Sequence, residues 1–343
     1  MVPGYGSREA RLLNEYQREF PLASEPYAVI ARDLGDDESW IRATLARWVE
    51  DGTVSRVGAV FRPGAIGVST LAALAVPDDD LDRVAAIVSA RREVNHNYER
   101  EHRFNLWFVA TAADRAALDA ALRSIARDTG YAPISLPLVA DYWIDLGFDL
   151  AGADATTRAR RQPNRAAAVP TLALSATDRR LVAALEDGLP PVCAPYAAIA
   201  QKAGVSEAYA LAQLADWLRQ GVIRRFGVVV RHRAIGYSAN AMCVWNVPDE
   251  DADAVGMALA REPGVTLCYR RRRAAPEWRY NLFCMLHGRD RATVEARRVE
   301  IAVAQGLDQF PSAVLFSRRA FKQCGARYVT AAAGDRAPAR VAA

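Results

Sequence analysis

Apolar residues recur every three or four positions over residues 38–50, with Trp40, Ile41, Thr44, Leu45 and Trp48 on one side. That period predicts an amphipathic helix, stopped by Asp51-Gly52. Shorter helical stretches at 8–20 and 26–34 precede it. The period then shortens to two, predicting a strand over Val68–Val76, a helix over Leu81–Ala90 and a hairpin of Val94–Arg100 with Phe104–Thr111. A helix over Arg115–Arg127 and a last strand over Ile134–Leu146 complete the series.

The chain then repeats itself. LARWVEDGTVSRVGAVFRPGAIG, starting at Leu45, matches LADWLRQGVIRRFGVVVRHRAIG, starting at Leu214, 169 residues on. Both copies continue through an apolar run into Val-Pro-Asp (Val76 to Asp78; Val247 to Asp249), and Tyr98 falls opposite Tyr269. Each copy is large enough to hold its own core, so this is a long-period duplication and not a solenoid. The second copy opens with Ser175-x-x-Asp178, a capping-box-like start, followed by a helix over Tyr196–Ala203, a Gly204-Val205-Ser206 turn and a helix ending at Gly221.

Helix, helix, turn, helix and strand is the order of a winged helix-turn-helix, and strand, helix, strand, strand, helix, strand that of a ferredoxin-like split βαβ sandwich. The expected fold is α+β: helix-turn-helix units at 8–62 and 174–231, ferredoxin-like units at 63–150 and 232–328, a linker at 151–173 and a disordered tail at 329–343. A ferredoxin-like sheet leaves one face open. Two copies in one chain can pack these faces together, giving an intramolecular pseudo-dimer with a shared cavity.

Composition narrows the setting. Of 343 residues, 51% are hydrophobic and 24% charged, as in globular proteins. Mean hydropathy is near zero, and no apolar run approaches the ~18 residues of a membrane span. MVPGYGSREA has no apolar core, which argues against a secretory signal. Five scattered cysteines without a C-x-x-C pair argue against a disulfide framework or structural zinc, and a reducing cytoplasm is expected. The net charge of +4 says little, but arginine carries almost all the positive charge. Arginine suits bidentate recognition of carboxylates.

The hairpin VNHNYEREHRF concentrates the chemistry. Alternation places Val94, His96, Tyr98 and Arg100 on one face, with His102 and Arg103 at the turn. An imidazole poised near neutrality, a phenol and a guanidinium make an acid/base and anion-binding face; a solvated polar hairpin would show the same alternation. In the second copy Leu267 replaces the histidine, while Tyr269 and Arg271 persist within the run Arg270, Arg271, Arg272 and Arg273, with Arg279 beyond. Like charges this dense require anions nearby, and a substrate carrying several carboxylates meets that need. Lys322 and Arg327 in FKQCGARY could close over such a ligand. His232 and His287 read as surface or structural residues, and Trp107 and Trp143 as packing residues.

The layout is that of the Lrp/AsnC transcription regulators, which makes an amino-acid-responsive DNA-binding protein one hypothesis. The recognition helices argue against DNA as a partner. The first begins with Asp36, Asp37 and Glu38, and the second has no Arg or Lys before Arg219. Neither supplies the phosphate contacts that specific binding needs.

GAVFRPGAIG, VNHNYERE, FNLWFV and YWIDLGFDL in the first half resemble the D-type subunit of the siroheme decarboxylases, and GVVVRHRAIGY, YRRRR, WRYNLF and AFKQCGARY in the second resemble the L-type partner. The resemblance covers about residues 8–150 and 172–328. It implies a natural fusion of two subunits on an Lrp-like scaffold. The implied reaction is a carboxy-lyase one, removing carbon dioxide from the C12 and C18 acetates of siroheme to give 12,18-didecarboxysiroheme on the way to heme d1. No cofactor is implied beyond the iron tetrapyrrole, which is itself the substrate. On this reading the arginines named above, with His102, Tyr269 and Lys322, hold the substrate, and His96 or Tyr98 supplies the proton that replaces carbon dioxide. A neutral His96 imidazole equally suits a role as ligand to the siroheme iron. Further homodimerisation, or assembly with related decarboxylase subunits, is left open.

Overall fold

The computed structural model describes residues 7–144, 171–231 and 239–329. Its first copy runs α1 (Arg8–Glu15), α2 (Pro26–Leu34), α3 (Glu38–Glu50), β1 (Val54–Phe61), β2 (Val68–Leu74), α4 (Leu81–Ala90), β3 (Val94–Arg100), β4 (Leu106–Ala112), α5 (Arg115–Thr129) and β5 (Ile134–Ile144). The second runs α6 (Ala176–Leu185), α7 (Pro195–Ala203), α8 (Glu207–Arg219), β6 (Ile223–Val230), β7 (Ala239–Trp245), α9 (Ala252–Leu259), β8 (Val265–Arg271), β9 (Leu282–Gly288), α10 (Arg291–Ala304) and β10 (Ser312–Gln323). The first helix is shorter than the predicted 8–20. His232 and most of the linker and tail lie outside the described residues; at the linker's far end the Leu172 N–H donates to the Ala65 carbonyl at 2.7 Å.

Both helix-turn-helix turns are made the same way. Gly35 and Gly204 close α2 and α7 at φ of 69° and 67°, a left-handed conformation that a Cβ disfavours. Ser175 and Asp178 form the predicted capping box. The wing differs from expectation. Each copy contributes one strand, and β1 and β6 pair antiparallel with each other. A shared core spans both heads, from Leu12, Ile41 and Trp48 to Leu181, Trp217 and Phe226. Equivalent tyrosines cross between copies: the Tyr27 hydroxyl donates to the Pro190 carbonyl at 3.0 Å, and the Tyr196 hydroxyl to that of Pro21 at 2.8 Å. The heads are thus one body.

The two sheets do more than face one another. They join edge to edge into a closed barrel of order β10-β3-β4-β2-β5-β8-β9-β7. Strand exchange closes it. β5 pairs with β2 over Ile134–Pro137 and then with β8 from Leu138 onward. β10 pairs with β7 over Ser312–Phe316 and with β3 from Ser317 onward. Each last strand is long because it serves two sheets, and closure leaves no edge unpaired. The Val-Pro-Asp repeats also find a cause. The Asn281 side-chain amide accepts from the Val247 N–H at 3.0 Å and donates to the Val247 carbonyl at 2.9 Å, and Asn105 does the same for Val76 at 3.0 and 2.8 Å.

Helices α4, α5, α9 and α10 cover the outside of the barrel over two separate apolar cores. A third core fills one end of the interior with Trp107, Trp278, Phe283, Val244 and Leu315. The other end, beneath β1 and β6, stays open as a cavity.

Candidate functional site

Alternation along β2, β4, β7 and β9 places their polar inward residues at the head-facing end of the cavity. Inward positions run Ala73, Leu71, Ser69 on β2; Trp107, Val109, Thr111 on β4; Val244, Met242, Asn240 on β7; and Phe283, Met285, His287 on β9. Its roof is β1, β6 and the segment Gln323–Tyr328, which leaves β10 and runs beneath the heads.

β3 brings His96, Tyr98 and Arg100 to this cavity together. Val94 departs from the expected shared face: a bulge between Val94 and His96 turns it into the helix-side core, and Asn95 takes its place at the cavity. The same bulge recurs between Val265 and Leu267. The His96 and Tyr98 rings lie nearly parallel, 12° apart, with Tyr98 Oη 3.4 Å from His96 Nδ1. The Arg100 guanidinium is buried and sits 5.7 Å from the Tyr98 ring centre. Across the pseudo-twofold, Arg271 sits 4.6 Å from that of Tyr269 and donates to the Leu136 carbonyl at 2.8 Å. No carboxylate among the described residues pairs with Arg271, and burial holds its pKa below the usual arginine value.

One chain of hydrogen bonds fixes its own direction. A guanidinium can only donate, so Asn240 Oδ1 accepts from Arg100 at 3.3 Å. Asn240 Nδ2 therefore donates to His287 Nε2 at 2.9 Å. His287 Nδ1 then donates to Thr266 Oγ1 at 2.8 Å, and the threonine hydroxyl to the Met285 carbonyl at 3.1 Å. His287, expected to be structural or at the surface, lines the cavity within this network. Its signal was the two-residue alternation of Phe283, Met285 and His287. Arg56, Glu186 and Tyr328 also line the cavity, and none was singled out in the sequence. The Glu186 carboxylate accepts the Tyr328 and Val329 N–H groups at 2.9 and 3.3 Å; burial raises its pKa and pushes the Tyr328 hydroxyl up to about 12.

The remaining predicted residues lie elsewhere. The run Arg270–Arg273 does not face the cavity as a cluster, because strand alternation sends Arg271 in and its neighbours out. Arg270 bonds Asp249 and Asp253 at 3.0 and 3.2 Å. Arg273 bonds Asp249 at 2.7 Å and the Val247 carbonyl at 2.6 Å. Arg272 and Arg279 are exposed. His102 Nδ1 accepts the Phe104 N–H at 3.0 Å, and burial, then Arg103, lowers its pKa. Arg103 stacks on Phe104 at the surface. Lys322 donates to the Ser89 and Arg91 carbonyls at 2.8 and 2.7 Å, closing the C-terminal end of α4. Arg327 pairs with Asp187 at 2.8 Å.

A strand-exchanged barrel with an interior cavity, roofed by paired helix-turn-helix heads, defines a tandem ligand-binding scaffold of the AsnC type. The AsnC-like ligand binding domain matches residues 65–142 and 234–322, and the siroheme decarboxylase NirDL-like HTH domain matches 9–54 and 178–224. The siroheme decarboxylase NirDL subunit of Paracoccus pantotrophus is 44% identical over 93% of this chain and 96% of its own. The NirD subunit of Pseudomonas aeruginosa is 54% identical over 41% of this chain and 93% of its own. A crystal structure of the siroheme decarboxylase NirDL in co-complex with an iron-uroporphyrin III analogue superposes with a TM-score of 0.66 at 28% identity, covering 94% of this chain and 93% of that one. The chain belongs to the siroheme decarboxylase family.

Proposed function

We propose that the chain removes carbon dioxide from two acetate side chains of siroheme, giving 12,18-didecarboxysiroheme for heme d1 formation, and that it works in the cytoplasm. The observation that carries this reading is the cavity itself. Its deep wall is broad and apolar, two guanidiniums stand at pseudo-equivalent positions on opposite sheets, and an imidazole–phenol pair stands on one side only. The tetrapyrrole is a flat apolar ring with eight carboxylates. Arg100 and Arg271 hold carboxylates that do not react, through charge-assisted hydrogen bonds.

In the reacting side chain the bond between methylene and carboxylate carbons breaks. Carbon dioxide leaves, and the electron pair stays on the methylene carbon, delocalised into the conjugated ring. A proton delivered to that carbon completes a methyl group. His96, oriented by Tyr98, donates it; general-acid help of this kind contributes about 10²–10⁴ in rate. No separate cofactor enters this scheme, because the substrate ring is the electron sink. His96 as ligand to the siroheme iron is the competing assignment for the same imidazole.

The helical heads act as scaffold and roof. At the start of α3, Asp36 binds Arg8 at 2.9 Å and Glu38 binds Arg42 at 3.0 Å. Anaerobic incubation with siroheme, followed by mass analysis, should show stepwise loss of two carbon dioxide units. His96→Ala should bind siroheme and release none. Bound siroheme of unchanged mass in the wild type overturns the reading; full turnover in His96→Ala removes the proton-donor assignment alone.

A further inference from the structure

Arg56 and Arg225 occupy equivalent positions, 169 residues apart, on the two paired head strands. Both make the same local bond. Arg56 donates to the carbonyl three residues on, Ala59, at 2.9 Å, and Arg225 to Val228 at 3.4 Å. They then part. Arg225 turns into the head core and donates to the Gln17 carbonyl at 2.8 Å. Arg56 lines the barrel cavity.

No carboxylate among the described residues lies within ion-pairing distance of Arg56; Asp187 acts on it only at longer range. Among the described residues it forms no ion pair, and Ala59 is its one hydrogen-bond acceptor. Desolvation by burial lowers its pKa. A guanidinium half-withdrawn from water without a paired carboxylate is a ready partner for an anionic ligand. Its room is also specific. A Cβ on Gly325, in the segment that roofs the cavity, would lie 2.9 Å from Arg56 Cζ and 3.0 Å from Nη1. A side chain at 325 would therefore push the guanidinium aside, so its present position beneath the roofing segment depends on glycine there.

We propose that Arg56 binds a carboxylate of the tetrapyrrole, so that a strand of the helix-turn-helix head is part of the substrate site. The inference rests on the siroheme reading above. It gives the cavity a third guanidinium, from its roof, facing those that Arg100 and Arg271 bring from the barrel wall. The site then grips the ring from three directions, and the Arg56–Gly325 contact determines how closely the roof approaches it.

The test uses the full chain and two iron porphyrins: iron uroporphyrin III, with eight carboxylates, and iron coproporphyrin III, which lacks the four acetate carboxylates. Affinity is read from the absorbance of the bound ring. Arg56→Gln should weaken uroporphyrin binding at least tenfold, Arg56→Lys should recover part of it, and Gly325→Ala should weaken it by displacing the guanidinium. Each variant should melt within a few degrees of the wild type. An acetate partner predicts little penalty for Arg56→Gln on coproporphyrin, and a propionate partner predicts the same penalty on both rings. Wild-type affinity for uroporphyrin in Arg56→Gln, with Arg271→Gln impaired, overturns the inference and leaves the siroheme reading standing. A loss of binding in Arg56→Gln that tracks a lowered melting temperature, with no rescue by lysine, also overturns it. Failure of the wild type to bind either ring overturns the siroheme reading itself.

Discussion

Arg100, the last residue of one copy's hairpin strand, donates to Asn240, on the first inward position of the other copy's β7, across 3.3 Å. The contact spans 140 positions of sequence and joins the two halves of the cavity. Through Asn240 it also sets the hydrogen-bond direction at His287.

That relationship predicts the behaviour of Asn240. Asn240→Leu removes one hydrogen bond each from buried Arg100 and half-buried His287 and should cost about 1–3 kcal/mol in denaturant unfolding. Asn240→Asp places a carboxylate against Arg100, where it competes with a carboxylate of the ligand. Siroheme affinity should fall about tenfold, the equivalent of ~1.4 kcal/mol. Unchanged stability and affinity in both variants would show that the contact carries no weight.

Tyr98 tests the division of labour at the proton donor. Tyr98→Phe keeps the stacked ring and removes only the hydroxyl that faces His96 Nδ1. Single-turnover carbon dioxide release should slow by about tenfold, less than the 10²–10⁴ associated with a general acid itself. Siroheme binding should be unchanged. A loss in Tyr98→Phe as deep as in His96→Ala would move the donor role to the phenol.

His102 gives a pH dependence with a definite sign. Its pKa is lowered on folding, because burial and Arg103 disfavour the imidazolium and Nδ1 accepts the Phe104 N–H. A depressed pKa means stability that is present above the ordinary histidine value of 6.5 and lost as pH falls through the folded value. Melting temperature should therefore drop from pH 7.5 to pH 5. His102→Asn, whose side-chain oxygen can accept the same N–H, should flatten that component of the profile. An equal drop in both proteins would assign it elsewhere.

Asn281 is 1% exposed and makes two hydrogen bonds to the backbone of Val247. Asn281→Ala leaves the buried Val247 N–H without its partner, while the Val247 carbonyl keeps only its bond from Arg273. The expected loss is about 1–3 kcal/mol, seen as a lower denaturant midpoint at unchanged slope. Asn105→Ala should behave alike at Val76, since the arrangement repeats.

Local patterning determined the elements, their order and the duplication, because period, caps and turn residues act over a few positions. Gly35, Gly204 and the Ser175–Asp178 cap stood in plain view for that reason. The same logic placed His96, Tyr98 and Arg100 on one strand face, but it could not foresee the bulge that removes Val94 from it. Alternation along β9 carried His287 as well, in a form visible only once the inward face was known. The tertiary structure alone decided which arginines face the cavity. A charge run read as a line becomes one inward guanidinium and several outward ones, with Arg270 and Arg273 set by the distant Asp249. It alone decided that β5 and β10 change partners midway and close the barrel, since strand pairing depends on which edges are left exposed and not on the strand's own residues. It alone gave Arg56 and Arg225, alike in sequence and in their first hydrogen bond, opposite surroundings, because a duplicated chain folds its halves against each other and can leave only one of them beside the cavity.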